Sequence, residues 1–176
     1  MTWNGRTLSA REPTPTEMQE AAPILAQWYS ETYNRQMMDG QVMTSEEALE
    51  TLEAARVRGD RPFLLYVDGV LAGDADFRHL AQLTGEFAIM IGQREAQGHG
   101  LGTAFARMLH RFAFRVLQLQ IVYLTVLEAN FAGRRCYEKL GYAQDYGETA
   151  RVFIESERDI PMSLSRATFE SLDAST

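Results

Sequence analysis

One stretch, Glu86 to Ala104, constrains this chain more than any other. Phe87, Ile89 and Ile91 alternate with Ala88 and Met90, so both faces of the strand they predict are apolar, as in the middle of a covered sheet. A polar turn follows, and then glycine recurs at alternate positions, Gly98, Gly100 and Gly102. Residues without a β-carbon belong where backbone must approach a ligand closely, and the helix that begins there aims unpaired N–H groups and a positive dipole end at it. The stretch reads as a cradle for an anion.

Other glycine loops fit less well. A phosphate-binding P-loop needs a lysine after its last glycine, and the only lysine is Lys139, far downstream. A dinucleotide fingerprint is supported by a later strand, Ile121 to Leu127, that ends in Glu128. Its third glycine, however, falls where this chain has Thr103. A turn that merely caps a helix needs one glycine rather than three.

The 176 residues suffice for one domain with a substantial core, and a hydrophobic share of 45% with a charged share of 23% is that of an ordinary globular protein. No apolar run reaches membrane-spanning length and Met1 to Arg11 lack the apolar core of a secretion signal, so a cytoplasmic location with no membrane partner is expected. The single cysteine, Cys136, excludes an internal disulfide, and three histidines, His79, His99 and His110, give no metal-site spacing. A formal net charge of −7 argues against nucleic acid as a partner and for a cationic one.

In chain order, Thr7 to Arg11 predicts a first strand and Thr16-x-x-Gln19 a cap for a helix that Pro23 must kink or restart. Between Tyr29 and Val42 helical periodicity is lost, and Trp28, Tyr29, Tyr33, Met37 and Met38 read as core packing, with a substrate wall as the alternative. Thr44-x-x-Glu47 is a capping box for a helix running towards Gly59. Pro62 to Val67 and Val70 to Phe77, joined by Asp68-Gly69, form a hairpin. After the glycine loop, Phe105, Met108, Leu109, Phe112, Ala113 and Val116 mark one helix face. Ile121 to Leu127 is a central strand, Phe131 to Leu140 a helix ended by Gly141. Tyr142 to Asp145, Thr149 to Glu155 and Pro161 to Leu164 read as closing strands, with a helix beyond Arg166.

This order, with Gln97, Gly100 and Gly102 at the fixed positions of a Gln/Arg-x-x-Gly-x-Gly/Ala loop, resembles the GNAT superfamily of N-acetyltransferases. Asn130, then Tyr137, Glu138, Lys139, Leu140, Gly141 and Tyr142, match its downstream signature. Glu-Phe-x-Ile-x-Ile before the loop is similar to the branch holding the ribosomal-protein N-terminal and spermidine acetyltransferases. Two departures are Gly133, where the family usually has alanine, and Gln93-Arg94 in place of a frequent proline. The resemblance implies an α/β fold with a mixed, mostly antiparallel central sheet flanked by helices, and acetyl-CoA as cosubstrate without a metal. It implies that pantetheine pairs with the backbone of Ile89, Met90 and Ile91 and with Asn130. The pyrophosphate would rest on Gln97, Gly98, His99, Gly100, Leu101, Gly102 and Thr103, with Arg134 or Arg135 meeting the nucleotide phosphate.

Acetyl transfer to a primary amine needs a neutral nucleophile, stabilisation of a tetrahedral oxyanion and a proton for the departing thiolate. A lysine-like amine of pKa about 10.4 is neutral in roughly one part in a thousand at pH 7, so a proton acceptor is useful. Glu86 is the candidate base, acting through water; the alternative is a strand-end carboxylate with no chemical role. Tyr137 would protonate the sulfur, and the backbone N–H of Met90 or Ile91 would receive the oxyanion. Cys136 reads as core, and His99 takes no catalytic role.

The acceptor is an amine on a small molecule or peptide, and no motif chooses among polyamine, peptide N-terminus, lysine side chain and aminoglycoside. Asp74, Asp76, Asp145, Glu148 and Glu155 could steer a polycation, but charge on strands and turns reads first as a solvated face. A homodimer through the last strands is open. A non-catalytic acyl-CoA-binding module of the same fold is the alternative function.

Overall fold

The computed structural model describes residues 1–38 and 40–174. The chain opens with β1 (Thr2–Trp3) and β2 (Arg6–Arg11), then α1 (Pro15–Ser30), α2 (Thr32–Met38) and α3 (Ser45–Arg58). The hairpin β3 (Arg61–Val67) and β4 (Val70–Arg78) leads into β5 (Thr84–Ile91), and the glycine loop into α4 (Leu101–Arg115). Then come β6 (Ile121–Leu127), α5 (Phe131–Leu140), β7 (Ala143–Gln144), α6 (Glu148–Arg151), β8 (Asp159–Ser165) and α7 (Arg166–Asp173). The strands form one eight-stranded sheet in the order β1-β2-β3-β4-β5-β6-β8-β7. Every neighbouring pair is antiparallel except β5 and β6. The expected mixed, mostly antiparallel sheet flanked by helices is the fold observed.

Period-two alternation sorts β3 between two cores. Phe63, Leu65 and Val67 pack with Phe77, Phe87 and the α4 residues Phe105, Leu109 and Phe114, whereas Leu64 packs with Met18 and Leu25 of α1 and Leu52 of α3. Since successive strand residues face opposite sides, α1 and α3 cover one face and α4 the other.

Local rules explain most boundaries. Asp68 and Gly69 take φ of 50° and 81° in the hairpin turn, and Thr44 and Glu47 cap α3 reciprocally. The α1 cap, expected at Thr16, is Thr14: its hydroxyl accepts from the backbone N–H of Glu17, whose carboxylate accepts from Thr14 N–H in return, and Pro15 takes the first helical position. The helix runs through Pro23 without a break. Asn4 and Gly5 turn a first hairpin that the sequence reading passed over. Thr149 to Glu155, expected as a strand, instead holds the short helix α6 and turns. Val116 lies past the end of α4 and is exposed, so it does not extend that helix's buried face.

Candidate active site

The parallel pairing of β5 with β6 covers only three rungs, Thr84 with Ile121 to Glu86 with Tyr123. Beyond Glu86, β5 stays paired with β4 as far as Ile91, and β6 stays paired with β8 as far as Leu127. The two strands therefore part, and two cavities of about 320 and 460 Å³ open beside them. Met37, Met38, Ile89, Met90, Asn130 and Tyr137 line both, so these residues are the junction.

The parting exposes a strand edge whose polarity follows from alternation. Gly92 donates its N–H to Ala72 of the β4 side, and the Ile91 carbonyl turns the other way to accept from Gln97 Nε2 at 2.7 Å. Residues of one parity thus bond β4, and the backbone N–H groups of Ile89 and Ile91 face the parted side. Met90 has the parity of Gly92, so its N–H is directed to β4 and not to the cleft, contrary to one of the two oxyanion donors expected.

The smaller cavity is walled by β5, the glycine loop and α5. Gly98 and Gly100 have φ of 78° and 86°, the left-handed region where a side chain is strained. Gly100 caps α4 with no side-chain hydrogen bond, so the first-turn N–H groups of this 15-residue helix are left for another acceptor. Gln97, Gly98, Gly100, Gly102 and Thr103 line the cavity, as do Arg135 and Lys139. Leu101 is buried in the core and anchors the helix start, while His99 is exposed and lines neither cavity.

Three expected contacts are made differently. Arg134 lines neither cavity and lies over the Phe131 ring at 6.0 Å, whereas Ala132, Arg135, Cys136 and Lys139, at helical spacing, share the cavity face. Asn130 uses its carboxamide inside the protein: Oδ1 accepts from Gly133 N–H at 2.8 Å and Nδ2 donates to the Met37 carbonyl at 3.3 Å. Gly133 serves that cap, since a Cβ there would lie 2.9 Å from Asn130 Nδ2. Gln97 bridges the Ile91 carbonyl and Asn34 Oδ1, and so braces the loop against α2.

The helix α2, missed in sequence for want of periodicity, is held over the junction by these bonds and by Arg94 stacked 4.0 Å from the Tyr33 centroid. Tyr33, Met37 and Met38 are therefore cavity wall rather than core; Trp28 and Tyr29 do pack against the α1–α3 core. Cys136, expected in the core, also faces the smaller cavity, 3.4 Å from Thr103 Oγ1.

The larger cavity is walled by one face of β4 and by the segment before β8. Asp74, Asp76 and Arg78 alternate on β4, in register with Met90, Ala88 and Glu86 of β5. Tyr29 donates to Asp74 Oδ2 at 2.8 Å. The Oδ1 atoms of Asp74 and Asp76 are shut off from solvent with no hydrogen-bond partner among the described residues. Burial pushes the Asp74 carboxyl up to about 7 against the pull of Tyr29, and that of Asp76 up to about 6 against Arg78. These are no solvated face.

Glu86 is 3% exposed and lines neither cavity. Its two oxygens accept from Arg78 at 2.9 and 3.0 Å, and His79 Nδ1 lies 2.8 Å from one of them. Tyr137 is 8% exposed and lines both cavities. Burial, reinforced by Cys136, raises its pKa well above the ordinary phenol value, so it holds its proton. Among the described residues no group of three or more His, Cys, Asp and Glu is arranged to hold a metal, and no helix is long and apolar enough to cross a membrane.

The profile of the acetyltransferase (GNAT) domain matches residues 10–143, most of the chain. The chain belongs to the GNAT acetyltransferase family. It is thus an acetyl-CoA-dependent acetyltransferase, and its glycine loop, uncapped helix and two cations fit the coenzyme's phosphates. No curated protein matches it in sequence. Among solved structures, aminoglycoside acetyltransferase AAC(6')-Ib in complex with coenzyme A superposes with a TM-score of 0.77 at 16% identity, covering 95% of this chain and 99% of that one. Spermidine N-acetyltransferase from Vibrio cholerae, in complex with CoA and spermine, gives 0.74 at 19% identity over 93% and 98%. The Campylobacter jejuni N-acetyltransferase PseH gives 0.62 at 16% over 92% and 98%. At such identities the likeness is one of fold.

Proposed function

We propose that this GNAT acetyltransferase moves the acetyl group of acetyl-CoA directly onto a primary amine of a small molecule or peptide, through a tetrahedral intermediate. The observation that carries the reading is the position of Tyr137 on the wall of both cavities, one cradling anions and the other lined with carboxylates. The coenzyme supplies an activated acetyl thioester. Gly98 to Thr103 and the first turn of α4 hold its pyrophosphate, with Arg135 and Lys139 in place of Arg134 for the remaining phosphate charge. Its pantetheine amides run along the open backbone of Ile89 and Ile91.

The roles of the side chains follow from their protonation. An incoming ammonium gives its proton to Asp74, whose carboxyl, pushed up to about 7, is a far better acceptor than an ordinary aspartate. The freed amine attacks the carbonyl carbon, and the N–H of Ile89 or Ile91 takes the charge that develops on oxygen. When the C–S bond breaks, Tyr137 passes its proton to the sulfur, and the nitrogen, now bonded to the carbonyl carbon, gives up its second proton, which returns through water to Tyr137. Glu86 acts as a positioning residue: it fixes Arg78, which neighbours the carboxylates on β4.

Purified protein mixed with acetyl-CoA and a panel of primary amines should release free thiol in proportion to amine. An absence of protein-dependent thiol across small, polycationic and peptide amines would falsify the reading.

A further inference from the structure

The larger cavity is lined by Asp74 and Asp76 on β4 and by Glu155 and Asp159 before and at the start of β8. Arg78 is the single cation on its wall among the described residues, and Glu86 already holds it through two hydrogen bonds. A protein that buries a carboxylate oxygen without a partner carries a desolvation cost. Here two such oxygens, Oδ1 of Asp74 and Oδ1 of Asp76, belong to residues that line the same cavity. Tyr29 satisfies only the other oxygen of Asp74.

Alternate residues of a strand place these carboxylates about 7 Å apart. Their register orders them along the cavity. Asp74 pairs with Met90, which lines both cavities at the junction, whereas Asp76 pairs with Ala88, which lines only the larger one. The first carboxylate therefore stands nearer the junction whose wall includes Tyr137, and the second farther from it.

Building on the amine-acetylation reading, we infer that Asp74 and Asp76 form a two-point subsite that selects a small acceptor bearing two protonated amines: the reacting nitrogen at Asp74, the second ammonium at Asp76. Glu155 and Asp159 add negative potential at the rim. A monoamine of the same length fills one point and leaves the other carboxylate unpaired, so the second charge is where discrimination lies.

Calorimetric titration of the full chain, without acetyl-CoA, with 1,4-diaminobutane and with butylamine tests this. The diamine should bind at least about tenfold more tightly. Asp76→Asn should reduce the preference to below about threefold, a thermal melt verifying that the variant is folded. If that variant does not fold, the wild-type comparison still decides. Equal binding of the two amines, no binding of either, or a preference that survives in folded Asp76→Asn overturns the inference. Diamine-selective binding without acetyl transfer upholds it and sinks the reaction proposed above; acetyl transfer with no diamine preference does the reverse.

Discussion

Replacing Asp74 by asparagine should make the protein more stable above neutral pH while stopping its reaction. The aspartate titrates near 3.8 in the unfolded chain and at about 7 in the folded one, because burial disfavours the charged form. Between those values the folded protein holds a proton that the unfolded chain has lost, so stability falls as pH rises through that interval and is constant above it. At about 1.4 kcal/mol per pH unit, the three units amount to about 4 kcal/mol of destabilisation above pH 7. About one to two kcal/mol of this is already present at about pH 5, leaving about 3 kcal/mol to develop by about pH 8.5. Asparagine is uncharged at both and can still accept from Tyr29. Urea unfolding of both proteins at the two pH values should therefore show the variant's advantage growing by about 3 kcal/mol. Parallel stability curves for variant and wild type would show that Asp74 is not desolvated in the way argued here. The same substitution should lower kcat by about a hundredfold or more.

Tyr137→Phe should lower kcat by a similar factor while leaving calorimetric coenzyme A affinity within about twofold, since only the proton donor is lost. Gly100→Ala, at φ 86°, should cost about 1–2 kcal/mol in denaturant unfolding and raise the KM for acetyl-CoA, because the strain falls on the loop that begins α4. His110 is fully buried and its Nε2 lies 2.6 Å from the Tyr142 hydroxyl. Burial pushes its pKa down to about 4, so the unfolded chain takes up a proton first and stability should fall as pH drops from about 6.5 through 4, by about 3 kcal/mol. Acid unfolding of His110→Gln should lack that component.

The features legible in the sequence were those set by a few adjacent residues. The Asp68-Gly69 turn, the Thr44–Glu47 box and the Gly141 stop each state their own geometry, and the glycine loop announced the start of α4. What a residue faces was harder. The alternation Asp74-Ala75-Asp76-Phe77 shows that the aspartates share a face, but not that α1, α2 and the segment before β8 cover it. Glu86 looked available because its partners, Arg78 and His79, lie across a strand pair. Arg134 and Arg135 differ only in helical phase, which depends on where α5 docks. The helix α2 has no apolar stripe, being held instead by Asn34, Tyr33 and the Met37 carbonyl.

The separation of β5 from β6 makes the free enzyme an unfinished sheet. Among the described residues the amides of Ile89 and Ile91 have no neighbouring strand on the β6 side, and a ligand with its own amides can act as the missing one. Their hydrogen exchange should then be fast without coenzyme and slow with it, while Val122 and Leu124, paired with β8 throughout, hardly change. Two amides in the middle of the sheet thus become an occupancy meter for the cleft.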